Sequence, residues 1–302
     1  MHTRAILIAG PTASGKTALA IKIAKRFGGA VVNADSMQVY RDLSVLTARP
    51  TTEEQQHIPH MLFGHVDASE NYSVGRWLED LSCVLDEIRG RGLFPVIVGG
   101  TGLYFKSALH GISNIPAVPD DIRSQLRDRA KSKTAHELHA ELSALDPETA
   151  NRLRPTDPQR VLRALEVYLA TGQSLASFQA SRSRPILSTL DCLAFFLAPE
   201  RVKLREDIDL RFDDMMTRGA LQEVTALKQR GLDPRLPCMR AHGVPYLNAH
   251  LNDEMSLAEA IQLGKRDTRL YTKRQFTFAR HQLPEFRWID PNEGFAMICQ
   301  LL

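Results

Sequence analysis

Apolar residues change period along this chain, and each change marks an element. Ala5–Ala9 is a short unbroken apolar run, as a strand buried on both faces requires. Leu19, Ile23 and Phe27 then repeat at helical spacing, and Gly28-Gly29 ends that helix. Ala30–Ala34 reads as a second buried strand closing on Asp35. Ser73 is placed to cap a long helix whose apolar face is Val74, Trp77, Leu78, Leu81, Val84, Leu85 and Ile88, stopped by Gly90 and Gly92. Val96-Ile97-Val98 is a third buried strand, ending in Gly99-Gly100. Apolar strands alternating with helices predict an α/β fold with a parallel sheet flanked by helices.

Past Gly111 the texture differs. Ile115–Pro119 reads as a hinge, and strand signals vanish until Leu190. Asp157-Pro158 opens a helix with Val161, Leu162, Leu165, Tyr168 and Leu169 on one face, closed by Gly172. Leu190–Leu197 returns to a strand pattern, and the remainder reads as helical over Leu204–Arg230 and Leu257–Arg280. The expected organisation is a core of residues 1–114 and 188–302, interrupted by an all-helical insertion over 115–187.

Composition adds exclusions. The chain has 302 residues, 43% hydrophobic and 24% charged, which rules out a disordered or fibrous polypeptide. A formal charge of +3 is too mild to establish a nucleic-acid partner; its placement says more. Between Arg123 and Arg184 eleven Lys/Arg face seven Asp/Glu. Four scattered cysteines without a CxxC pair argue against a disulfide framework or a thiolate zinc site. His136 and His139 are three apart, not the i,i+4 spacing of a helical zinc pair, and His57 and His60 straddle Pro59 with no third ligand. With neither a secretory signal nor a membrane-length apolar run, a cytoplasmic monomer is expected.

The strongest chemical signal is Gly10-Pro11-Thr12-Ala13-Ser14-Gly15-Lys16-Thr17, a complete G-x-x-x-x-G-K-[ST] between a buried strand and a helix. Its glycines let backbone N–H groups curl around phosphate oxygens at the positive end of a helix. Lys16 supplies a point charge, and the Thr17 hydroxyl is a ligand for Mg²⁺. The third strand, however, ends in Val98-Gly99-Gly100-Thr101-Gly102, without the acid that nucleotide hydrolases use to hold magnesium. Asp35 is the available carboxylate. Ligands sit beyond the carboxyl ends of strands in such sheets, so Asp35, Thr101 and the loop converge there. Asp35 is then a metal ligand, a proton acceptor or an ordinary turn residue.

These blocks, continued by Asp35–Tyr40, Gly99–Tyr104, Asp157–Val161, Arg211-Phe212-x-x-Met215 and Lys273-Arg274-Gln275-x-x-x-x-Arg280, resemble in order and extent the bacterial tRNA dimethylallyltransferases. The resemblance implies transfer of a dimethylallyl group from dimethylallyl diphosphate to N6 of the adenosine 3′ to a tRNA anticodon, with Mg²⁺ as cofactor. It implies that the loop grips the donor's diphosphate, that Asp35 takes the proton, that Thr101 positions the nucleotide, and that Lys16, Thr17 with Mg²⁺, and Arg211 stabilise the departing diphosphate. It also implies tRNA contacts at Asp35, Ser36, Met37, Gln38, Thr101, Arg123, Gln159, Arg160, Val161, Leu162 and Arg163. Two departures from the family pattern are Arg49, where a lysine is common, and His242 in Arg240-Ala241-His242-Gly243.

Spacing alone reads Arg160 and Arg163 either as a solvated basic face or as a pair facing one partner. Tyr104 and Phe105 are open between helix packing and a prenyl pocket. A small-molecule kinase, or an RNA-binding module with a spent phosphate loop, shares the loop; the first predicts ATP turnover and the second binding without chemistry.

Overall fold

The computed structural model describes residues 5–55, 57–179 and 182–302. They form two compact units, one of residues 5–109 with 186–302 and one of residues 110–185. The chain passes between them at 109–110 and 185–186, so the proline-rich stretch Ile115–Pro119 lies within the smaller unit.

The larger unit is built on a six-stranded sheet. Its strands are β1 (Ala5–Ala9), β2 (Gly29–Asn33), β3 (His60–Met61), β4 (Phe94–Gly99), β5 (Cys192–Leu197) and β6 (Arg287–Ile289). The order across the sheet is β3-β2-β4-β1-β5-β6, and every pairing is parallel. β1 and β2 are buried along their whole length, which is why they read as unbroken apolar runs. Ile6, Ile8, Val31, Val96, Val98 and Phe195 pack under the helix Lys16–Phe27 through Leu19, Ala20 and Ile23. On the other side of β2, Trp77 of the helix Val74–Gly90 is fully buried and donates its indole N–H to the Asn33 carbonyl at 2.9 Å. Tyr104 stacks on that indole with ring centroids 4.3 Å apart.

The expected tail helix over 204–230 is two helices, Arg201–Thr217 and Ala220–Gln229. Gly219, at φ +99°, breaks the run, a backbone setting that side chains disfavour. The last long helix, Leu257–Gln282, opens with a capping box in which Ser256 and Glu259 satisfy each other's amides.

Among its described residues the smaller unit is built of helices between 120 and 179, with one isolated bridge from Ser113 to Arg182. Leu126, Leu138, Leu142, Val161 and Leu165 form its centre, and the helix Pro158–Thr171 is capped by Asp157 and ended by Gly172 in the left-handed conformation. Glu166, only 3% exposed, is held between Arg127 at 3.0 Å and Arg163 at 3.6 Å.

Candidate active site

β1 ends where the loop Gly10–Gly15 begins, and Gly15 at φ +77° turns the chain into the helix Lys16–Phe27. The loop closes on itself through the Ser14 amide, which donates to the Pro11 carbonyl at 3.3 Å. A Cβ on Gly10 would stand 2.9 Å from the Ser14 hydroxyl and 3.2 Å from Leu197, so only glycine fits between β1 and β5 here. That hydroxyl is buried and has no hydrogen-bond partner among the described residues. An unpaired buried hydroxyl costs about 1–3 kcal/mol, which an anionic ligand in the loop relieves.

Lys16 folds back so that Nζ donates to the Pro11 carbonyl at 3.1 Å. Burial pulls its pKa down from 10.5 to about 8, with Asp35 opposing the shift and Arg211 adding to it. An ammonium held this way is short of negative charge. Thr17, half-buried in the first turn, offers its hydroxyl beside the loop.

β2 and β4 bring the second group. Asn33, fully buried, sets the exit of β2: its side-chain oxygen accepts from the Asp35 amide at 2.8 Å, and its Nδ2 donates to the carbonyls of Asp35 and Leu62. The Asp35 carboxylate accepts the Met37 amide on Oδ1 at 2.9 Å, while Oδ2 makes no hydrogen bond among the described residues. From β4, the Thr101 amide donates to the Ala34 carbonyl at 3.1 Å and its hydroxyl accepts from the Ser36 amide at 2.9 Å. A Cβ on Gly99 would collide with the Ala34 carbonyl, and one on Gly100 would lie 3.2 Å from Asp35 Oδ2. The two glycines let this strand end come up against the carboxylate.

Gln275, buried on the helix Leu257–Gln282, joins the groups. Its Oε1 accepts from the Thr12 amide at 3.3 Å and its Nε2 donates to the Gly100 carbonyl at 2.8 Å. Next to it lies a cavity of about 190 Å³ into which Thr12, Asp35, Arg211 and Tyr271 all face. Much of the remaining wall is hydrocarbon: Leu46, Ile208, Phe212 and Met215. Arg211 makes no hydrogen bond among the described residues. Burial lowers its pKa, against the pull of Glu54, Asp214 and Asp35. Burial and then the Asp35 carboxylate push the Tyr271 hydroxyl well above its ordinary value, with Arg274 and a hydrogen bond to Thr101 acting the other way.

The sequence assigns no role to three residues at or behind the cavity wall, although His242 stands out in it as unusual. Glu223 accepts the amides of Ser44, Val45 and Leu46 at 2.5, 2.8 and 2.9 Å, and so fixes the loop that carries Leu46 and Thr47. His242 pairs through Nδ1 with Asp267 at 2.6 Å and packs on the Tyr271 ring at 4.5 Å. Gln275 stood inside a recognised block, yet nothing in that block told its bridging role from a surface glutamine. Arg49 lies under Gly64 and donates to the Tyr40 carbonyl at 3.2 Å.

Of the residues expected at the site, Thr12, Asp35, Ser36, Met37 and Arg211 line the cavity, and Thr101 is joined to it through Ser36. Gln38 is buried, its Nε2 spent on the carbonyls of Thr47 and Ala48. Tyr104 and Phe105 are both buried in packing, Phe105 against Phe286, and neither lines the cavity. Arg123, Gln159, Arg160, Val161, Leu162 and Arg163 belong to the smaller unit. There Gln159 and Arg160 are exposed, whereas Val161 is wholly buried and has no side-chain surface for RNA; Leu162 packs partly on the same core. Arg123 is paired with Asp120 at 2.8 Å. His139 Nε2 sits 3.1 Å from the Ala150 carbonyl, and no group of three or more metal-ligating His, Cys, Asp or Glu exists among the described residues.

A family profile described as IPP transferase matches residues 38–282, and one described as isopentenyl transferase matches residues 3–63. The chain belongs to the IPP transferase family. The chain is 60% identical over 293 residues to the tRNA dimethylallyltransferase of Methylocella silvestris, covering 97% of each chain. It is 61% identical over 290 residues to that of Beijerinckia indica, covering 96% of each. Among solved structures, the full-length tRNA isopentenylpyrophosphate transferase of Bacillus halodurans superposes with TM-score 0.71 at 33% identity, over 99% of this chain and 95% of that one. A eukaryotic dimethylallyltransferase crystallised acting on tRNA gives 0.79 at 29% identity, over 95% of this chain and 73% of that one.

Proposed function

We infer that the protein is a prenyltransferase that modifies tRNA, moving a dimethylallyl group from dimethylallyl diphosphate to N6 of the adenosine 3′-adjacent to the anticodon. One observation carries this reading. Thr12 of the phosphate-type loop, the Asp35 carboxylate, the Arg211 guanidinium and an apolar wall of Leu46, Ile208, Phe212 and Met215 line a single cavity. A donor with a diphosphate at one end and five carbons at the other suits both halves of that cavity. A nucleoside triphosphate leaves the hydrocarbon wall without a purpose, which disfavours a small-molecule kinase.

The chemistry follows from the groups present. The adenosine is stacked in its loop and must be extruded to reach a recessed site. Its N6 attacks the allylic carbon; an N–C bond forms, the C–O bond to diphosphate breaks, and the diphosphate leaves with the electron pair. The N6 proton goes to Asp35 Oδ2, the oxygen with no other hydrogen bond. Thr101, fixed to the Ser36 amide, holds the nucleotide edge beside that carboxylate. Charge develops on the departing oxygens, where Lys16 and Arg211 act as preorganised cations. The oxygen donor present suits magnesium: the Thr17 hydroxyl, half-buried in the first turn beside the loop, would hold the ion. When bound, it supplies further neutralisation of the leaving group. The smaller unit, with Arg160 and Gln159 exposed, is assigned to gripping the anticodon stem-loop. No helix among the described residues is long and apolar enough to cross a membrane, and we place the reaction in the cytoplasm, where tRNA is the substrate.

Purified protein given unmodified tRNA, labelled dimethylallyl diphosphate and Mg²⁺ should label the tRNA; transfer or hydrolysis of the ATP γ-phosphoryl group, with the five-carbon donor ignored, overturns the reading. Asp35→Ala should leave tRNA affinity largely intact while prenylation falls by roughly 10²-fold or more, the scale of general-base loss. Equal losses of binding and turnover would remove Asp35 from that role.

A further inference from the structure

One apolar wall of the cavity is set by a helix and two glycines. Ile208, Arg211, Phe212 and Met215 keep the i, i+3, i+4, i+7 spacing of one face of the helix Arg201–Thr217, and all four line the cavity. Arg211 is the charged member of this face; Ile208, Phe212 and Met215 are buried hydrocarbon.

Behind the Phe212 ring lies bare backbone. A Cβ added at Gly264, inside the helix Leu257–Gln282, would stand 2.8 Å from Phe212 Cε2 and closer still to Cζ. One added at Gly243 would stand 3.3 Å from the same two atoms. Gly243, at φ +94°, needs glycine for its backbone alone. Gly264 has no such need, since it sits in mid-helix, where glycine weakens the element relative to alanine. What its missing methyl does is make room for the ring. The ring therefore rests against two side-chain-free segments and has no space to retreat when a ligand presses on it. Packed interiors yield little, so a ligand too long for the cavity must displace the ring rather than slide past it.

We propose that Phe212, seated against Gly243 and Gly264, is the length gauge of the donor site, ending its hydrocarbon pocket at five carbons and excluding ten-carbon allylic diphosphates. The inference rests on the prenyl-transfer reading and adds the residue that sets which donor is taken. Donors of both lengths share the diphosphate and the allylic carbon, so the discrimination has to come from the hydrocarbon end. A diphosphate held between the loop and Arg211 places that end against the apolar side chains of the same helical face.

The test sets geranyl diphosphate against dimethylallyl diphosphate in tRNA prenylation by the full chain. The unaltered protein should prefer the five-carbon donor. Truncating a large buried side chain leaves a dry apolar cavity of the order of 150 Å³ that accepts hydrocarbon. Phe212→Ala should therefore shift the ratio of kcat/KM values toward geranyl diphosphate by roughly tenfold or more. Phe212→Leu should give an intermediate ratio, and it carries the test if the alanine variant fails to fold. Gly264→Ala should raise KM for dimethylallyl diphosphate by pressing the ring into the pocket. Adding Phe212→Leu to that variant should restore KM, because leucine has no atom at the Cζ position. Inorganic diphosphate has no hydrocarbon, so its inhibition constant should stay within about threefold in every variant. An unchanged donor ratio in folded Phe212 variants overturns the proposal, as does a wild-type protein that takes both donors equally. So does a Gly264→Ala defect that Phe212→Leu leaves in place. A loss of affinity for inorganic diphosphate that tracks the loss of the five-carbon donor also overturns it, making the ring a support for Arg211. Failure of the wild-type protein to prenylate tRNA with either donor would instead defeat the functional reading, which separates the two.

Discussion

At the scale of single residues, Lys16 shows how a motif's chemistry depends on its surroundings. The sequence announces a lysine in a phosphate loop; only the fold shows that its ammonium is desolvated and bonded to the Pro11 carbonyl, with a pKa near 8. The sign of the consequence is fixed. Between about pH 8 and 10.5 the unfolded chain keeps a proton that the folded chain has released, so stability of the unliganded protein rises through that window. Binding of diphosphate favours the charged form and runs the other way. Donor affinity should be flat below about pH 8 and then fall, approaching tenfold per pH unit, when followed by calorimetry from pH 6 to 10. Lys16→Met should bind more weakly and lose that pH dependence. Asp35 and Thr101 were equally legible, because a strand end in a parallel sheet has only one place to put them. Gln275 and Glu223 were not: a polar residue on a helix reads the same whether it faces solvent or a buried amide.

Elements repeat the lesson with different physics. β1, β2 and the helix Val74–Gly90 announced themselves because burial on both faces, or along one helical face, leaves a period in the sequence. β3 and β6 left none, being two and three residues long and mostly half-exposed or exposed. The break at Gly219 was hidden because apolar positions continue at helical spacing on both sides of it. The loop Ser44–Leu46 had no period at all; its shape comes from Glu223, whose carboxylate takes three backbone amides. Glu223→Ala leaves those donors unpaired. Hydrogen bonds to a charged group are worth about 1.5–3 kcal/mol, so urea unfolding should show a loss of about 2 kcal/mol. Because Leu46 and Thr47 line the cavity, KM for the donor should rise as well. A stable variant with unchanged KM would show that the loop is held by something else.

For the whole molecule, the informative point is where the chain leaves the larger unit and returns. The Ala108 carbonyl accepts the amides of both Ile186 and Leu187 at 3.0 Å, so the two crossings lie side by side within that unit. The hydrophobic clusters of the two units are built from separate residues. Replacing 110–185 by a short Gly-Ser bridge should therefore give a folded protein that binds dimethylallyl diphosphate within about threefold of the full chain, since loop closure over a few residues costs little. Its KM for tRNA should rise by at least tenfold. Loss of donor binding in a folded product would show that residues 110–185 take part in the donor site. The change of texture after Gly111 pointed to such an insertion, whereas the sharing of one carbonyl by both crossings depends on distances that no local pattern records.

The bond from Thr12 to Gln275 spans 263 positions. A ribosome completes the glycine loop long before it makes the residue that braces it. Polypeptides that stop short of Gln275 thus carry the full phosphate motif without the side chain that ties the Thr12 amide to the Gly100 carbonyl.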